Sequence, residues 1–142
     1  MLLAARASWY PLALPLMTVT GLTDVAAANG IVFAVENRSV FGALVAALAG
    51  LAPADRPTLV CTSGNPSLAA RALLARLVLQ GARIVYGGDT DERGELITRG
   101  LEAKFGDQLS RWRMDVPIGT VQYQEAVMSE LLSDLLALAT GK

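Results

Sequence analysis

The chain has 142 residues, 53% of them hydrophobic and 18% charged, which fits one domain and is too apolar for a disordered segment. It contains no histidine and a single cysteine, Cys61, so a Ser-His-Asp triad, an HExxH zinc site, a Cys/His zinc finger and an internal disulfide are excluded, and a reducing cytoplasm is the expected setting. The net charge of −1 splits into three acids and six bases over residues 1–86 and ten acids and six bases over residues 87–142, unlike the strongly basic balance, with a pI above about 9, of a nucleic-acid-binding domain.

From the N-terminus, Ala7 to Thr23 is uncharged. The run is shorter than the ~20 residues of a membrane-spanning helix, and Pro11 and Pro15 interrupt it. No membrane partner is expected. Residues 1–29 read as an irregular N-terminal arm or truncated linker ahead of a domain spanning residues 30–142. Ile31 to Val35 is a continuous apolar run that suits a strand buried on both faces. Asn37 and Ser39 are placed to cap a helix carrying Val40, Phe41, Leu44, Val45 and Leu48, which Gly50 stops. Thr58 to Thr62 is the second strand. Asn65 is placed to cap the next helix and Pro66 to open it, and the helix runs to Gly81. Ala82 to Tyr86 is a third strand, ending at Gly87-Gly88. A further helix starts near Glu92, with Leu96, Ile97, Leu101 and Phe105 on its apolar side. Arg111 to Val116 is a candidate fourth strand. Thr120 to Ala139 reads as one long amphipathic helix with Val127, Leu131, Leu135 and Leu138 along a stripe. Strand-helix alternation predicts the α/β class, a parallel sheet flanked by helices.

In such a sheet, ligands bind beyond the carboxyl ends of the strands. Glu36 and Asn37 follow the first strand, Ser63, Gly64 and Asn65 the second, and Gly87 to Asp91 the third. Asp89 and Asp91 are two residues apart, so in an extended segment both carboxylates point the same way and repel. A divalent cation removes that penalty. Oxygen ligands without histidine favour magnesium (Mg2+), with manganese (Mn2+) or calcium as alternatives. If the first and third strands are neighbours, Glu36 faces the aspartates across roughly one ~4.8 Å strand spacing, as a third metal ligand or a general acid/base with a raised pKa.

A glutamate after the first strand and an Asp-x-Asp after a later one resemble the Toprim domain of topoisomerases, bacterial primases, recombination proteins and old-family nucleases. The stretch Gly88-Asp89-Thr90-Asp91-Glu92-Arg93-Gly94 is similar to the G-D-x-D-x-x-G form of the topoisomerase VI A-subunit branch. Val35 to Val40, Val60 to Ser67 and Arg111 to Asp115 look like the C-terminal Toprim domain of a bacterial family that includes the nuclease subunit of Wadjet-type plasmid-defence systems. The resemblance covers about residues 31–116. It implies a compact Toprim-like (Rossmannoid) fold, Glu36 as acid/base or metal ligand, and Asp89 and Asp91 as magnesium ligands. It further implies phosphodiester chemistry on DNA, condensin-like defence subunits as partners, and a larger DNA-binding region N-terminal to this domain. Related motifs often carry an aromatic residue or proline where this chain has Glu92.

Each motif also has a plainer structural role. Asp91 suits an N-cap, with Glu92 and Glu95 in the first turn. Glu36 could pair with Arg38. Ser63-Gly64-Asn65 either holds a phosphate on helix amides or is a tight turn. Arg38 and Arg93 are candidates for steadying phosphate charge. Cys61 fits a small core residue. Trp112 either stacks on a base or buries its ring with the indole N–H paired. Tyr10, Tyr86 and Tyr123 are assigned no nucleophilic role. The stripe of Val127, Leu131 and Leu135 is core, or a docking face for another domain or for a second copy in a homodimer. The expected function is a magnesium-dependent Toprim nuclease. The alternatives are a non-catalytic interaction module with a structural cation site, and a small phosphate or nucleotide binder.

Overall fold

In the computed structural model, which describes residues 1–4, 9, 11–22, 25–117 and 119–139, the three apolar runs form the middle of a six-stranded sheet. Part of the run from Ala7 to Thr23, Tyr10 included, lies outside the described residues. In chain order the strands are β1 (Leu2–Ala4), β2 (Pro11–Ala13), β3 (Ile31–Val35), β4 (Thr58–Cys61), β5 (Arg83–Gly87) and β6 (Leu109–Arg111). Their spatial order is β2-β1-β4-β3-β5-β6. Strands β4, β3, β5 and β6 are parallel, and β1 runs antiparallel to both β2 and β4. The helices are α1 (Leu16–Thr20), α2 (Arg38–Ala47), α3 (Leu68–Leu79), α4 (Glu92–Phe105) and α5 (Met128–Ala139).

The alternation of side chains along a strand divides the core into two layers. Phe33, Val35, Leu59 and Cys61 face α2 and α5, where they meet Phe41, Leu44, Leu131 and Leu135. Val32, Ala34, Val60, Ile84 and Tyr86 face the other way, against Leu73, Leu74 and Leu77 of α3 and Ile97 and Leu101 of α4. Because both faces are covered, β3 is apolar at every position, as a two-sided buried strand must be. Cys61 is a fully buried core residue. Trp112 is buried too, its ring 5.1 Å from Phe33 and its indole N–H donated to Asp134 Oδ2 at 2.8 Å. The core role therefore describes both residues.

Four local expectations are corrected. Residues 1–29 are not wholly irregular: β1 and β2 extend the sheet, and Arg76 holds the chain after α1 by donating to Thr20 O and Leu22 O. Without β1, the apolar β4 would be a bare sheet edge, and covering it satisfies its backbone groups. The cap of α3 is Ser67, whose hydroxyl accepts from Ala70 N–H, and not Asn65, which is exposed. The fourth parallel strand is Leu109–Arg111, earlier than Arg111 to Val116, because Trp112 and Met114 turn inward as core residues at its end. The C-terminal helix starts at Met128 after a single 3-10 turn, and residues 120–123 are irregular instead, with Tyr123 extended. Their backbone is committed to the loops at the strand tips, described next.

Candidate functional site

The strand order reverses at the centre of the sheet. From β3 the chain passes to α2 on one face, and from β5 to α4 on the other. Such a divergence opens a crevice beyond the carboxyl ends of the two strands, the usual ligand position in open α/β sheets. Val35 pairs with Gly87 there, so Glu36 and the Gly88–Asp91 loop emerge side by side.

Glu36 is braced from three directions. Its N–H donates to Gly87 O at 3.0 Å, its carbonyl accepts Gly64 N–H at 3.1 Å, and its Oε2 accepts Asp89 N–H at 2.8 Å. Gly88 makes the last contact geometrically feasible: a Cβ there would lie 2.9 Å from Glu36 Oε2. Burial pushes the Glu36 carboxyl above its ordinary value; the Asp89 N–H opposes this, the charges of Asp89 and Asp91 add to it, and Arg93 offsets part of it. Asp89 Oδ1 accepts Gln124 N–H at 2.7 Å, and burial again raises its pKa, with Gln124 opposing and the charges of Glu125 and Asp91 adding.

Asp91 caps α4, its Oδ1 accepting Gly94 N–H at 2.7 Å. Gly94 is required here because a Cβ would stand 2.1 Å from the carbonyl oxygen of Asp89. The last glycine of the Gly-Asp-x-Asp-x-x-Gly stretch is therefore the place where the first turn of α4 folds back on the aspartate loop.

The other expected site residues fall around this rim. Ser63 and Gly64 take left-handed backbone, and the Gly64 N–H is used by Glu36 O, so this turn braces the glutamate. Arg93 is exposed and its guanidinium lies 3.7 Å from where a Gly64 Cβ would be. Arg38 is exposed at the start of α2, where Asn37 supplies the cap.

The irregular segment before α5 was not anticipated as part of the site. It straps both acidic loops together. Thr90 N–H donates to Gln122 O at 2.9 Å, and Gln122 N–H returns to Thr90 Oγ1 at 2.7 Å. Gln124 accepts Asn37 N–H on Oε1, and Glu125 Oε1 accepts from Asn37 Nδ2. Glu125 thus adds a fourth acid beside Asp89. The sequence does carry a signal for this: the apolar stripe begins only at Val127, leaving residues 120–126 with no helical face to bury.

One oxygen of each of Glu36, Asp89 and Asp91 is engaged by a backbone N–H. Among the described residues, no group of three or more His, Cys, Asp or Glu side chains is set as a complete metal-ligand cluster. Glu36 and Asp89 are both oxygen donors, the ligand type of which magnesium typically takes one or two together with waters and phosphate. No described helix is long and apolar enough to cross a membrane.

The family model described as "Protein of unknown function C-terminus (DUF2399)" matches residues 12–118. No curated protein and no solved structure matches the chain.

Proposed function

The chain belongs to that family of C-terminal domains, and from this premise we propose that it is a Toprim-type domain that cleaves DNA phosphodiester bonds with magnesium. The carrying observation is that Glu36 and Asp89, from different strand tips, share one hydrogen-bonded rim at the point where the strand order reverses, with Asp91 close enough to act on Glu36 electrostatically. Burial first, and neighbouring acids after it, raise the carboxyl pKa of both Glu36 and Asp89, and a cation bound between them would oppose that shift.

Magnesium at this rim, with Glu36 and Asp89 as the facing pair and Asp91 completing the acidic surroundings, would supply polarisation of the scissile phosphate. Manganese suits the same oxygen donors. Glu36 Oε2 is held by Asp89 N–H, so Oε1 is the atom left either to meet the cation or, where Asp89 and Asp91 hold it, to take or give a proton. Arg93 and Arg38, exposed on either side, steady phosphate charge. Condensin-like subunits and a second copy of the chain are the partners proposed alongside DNA.

The test is nicking of supercoiled plasmid by the purified chain, with and without a DNA-binding partner subunit, in Mg2+ or Mn2+. Glu36→Gln, Asp89→Ala and Asp91→Ala should each reduce the rate by about 100-fold or more, the scale of lost acid/base or metal contributions. Undiminished cleavage by the triple variant would exclude the assignment.

A further inference from the structure

Under the acidic rim lies a polar group that the protein itself does not satisfy. Tyr86 is the penultimate residue of β5, is 0% exposed, and its hydroxyl has no hydrogen-bond partner. Thr62 comes near without closing a bond, and its own hydroxyl is within 3.1 Å of Gly64 O. Buried hydroxyls in native proteins are rarely left so, because the lost hydration is not recovered.

The surroundings show which way the hydroxyl is aimed. A Cβ on Gly88 would lie 3.0 Å from the Tyr86 hydroxyl oxygen and 2.9 Å from Glu36 Oε2. Phenol and carboxylate therefore flank the same glycine. Burial, then the charge of Glu36, raises the phenol well above its usual pKa, so it carries its proton throughout the physiological range. The ring belongs to the buried cluster that includes Ile84, Leu74 and Ile97, a role phenylalanine would fill equally; only the oxygen is unexplained by packing. Two polar groups, the Tyr86 hydroxyl and Glu36 Oε2, thus stand on either side of Gly88, and buried waters sit where such groups would otherwise lack partners.

We propose that Tyr86 is a positioning residue for Glu36: its hydroxyl donates through one fixed water to the Glu36 carboxylate and locks the rotamer that accepts the Asp89 N–H. The inference deepens the cation-site reading, since a ligand held in one rotamer is what a cation needs, but its first test does not depend on a metal. The Asp89 amide reports the Glu36 rotamer directly, because that N–H is bonded to Glu36 Oε2.

Amide exchange and chemical shifts are compared by NMR in metal-free parent chain and Tyr86→Phe. The variant should keep the β3 amides of Val32 to Ala34 unchanged, while the Asp89 amide moves upfield and exchanges about tenfold faster. If Tyr86→Phe melts non-cooperatively, the parent chain decides instead: its Tyr86 hydroxyl proton should show cross-relaxation with one long-lived water. An Asp89 amide unaltered in a folded Tyr86→Phe, or a Tyr86 hydroxyl with no water contact in the parent, overturns the proposal. Calorimetric Mn2+ titration forms the second arm: Tyr86→Phe should bind about tenfold more weakly, as when a group that orients a metal ligand is removed. A parent chain that binds no Mn2+ removes the cation-site reading, while the Asp89 amide still decides the role of Tyr86.

Discussion

Gly94 shows how little room the acidic loop has. Its missing side chain lets Asp89 O approach to within 2.1 Å of where a Cβ would stand, and the obstruction is backbone, which cannot rotate away. Gly94→Ala should destabilise the protein by about 3 kcal/mol, the upper end of overpacking costs, as read by urea unfolding. At this scale the site was partly legible. Glu36, Asp89 and Asp91 could be picked out because they are acids placed directly after apolar runs, where a parallel sheet exposes its strand tips. Tyr86 could not. It lies inside an apolar run and behaves as one more buried side chain until the position of its hydroxyl relative to Gly88 is known. The double role of Asp91, as cap and as acid at the rim, was visible as two readings of one residue, and the hydrogen bond to Gly94 establishes the first.

Among the elements, α5 and the strap before it act as one clamp. The helix docks through Leu131 and Leu135, 0% and 1% exposed, and through Asp134, which accepts from the Trp112 indole and from Arg113. The strap then crosses Thr90, Asp89 and Asn37. Leu131→Ala should cost about 2–5 kcal/mol, the range for truncating a buried leucine, measured by urea unfolding. It should also loosen the Asp89 amide contacts, because the strap is anchored by the helix behind it. The central strands were legible because burial on both faces demands unbroken apolar runs. The strap was not, since its hydrogen bonds to Thr90, Asp89 and Asn37 join residues more than thirty positions apart, and no local periodicity encodes such pairing. The edge strands β1 and β2 were missed for a related reason: three-residue strands are too short to show a period.

For the molecule as a whole, titration pulls stability in two directions. Glu102 and Asp134 sit below their ordinary values, held there chiefly by hydrogen bonds from Arg111 and Arg113 respectively. Their contribution is present above the unfolded-state values and is lost as pH falls through the folded ones. Glu36 and Asp89 are shifted upward, chiefly by burial, so their contribution is complete below the ordinary values of 4.5 and 3.8 and is lost as pH rises through the folded values. Glu36→Gln keeps an acceptor for Asp89 N–H and removes the charge. In EDTA its melting temperature should match the parent near pH 4 and exceed it by a widening margin towards pH 7. Parallel melting curves across that range would show that Glu36 ionises without penalty.

The two borders of the sheet are unlike its interior. Strand β2 is three residues long and begins with Pro11, which has no N–H to offer, while β6 at the far side is equally brief and ends at Arg111, whose guanidinium is gripped by Glu95 and Glu102. Among the described residues, neither flank presents a long flat backbone ladder on which a neighbouring polypeptide could add a strand. At these two edges self-association by strand addition, including the runaway kind that ends in fibrils, is disfavoured by construction.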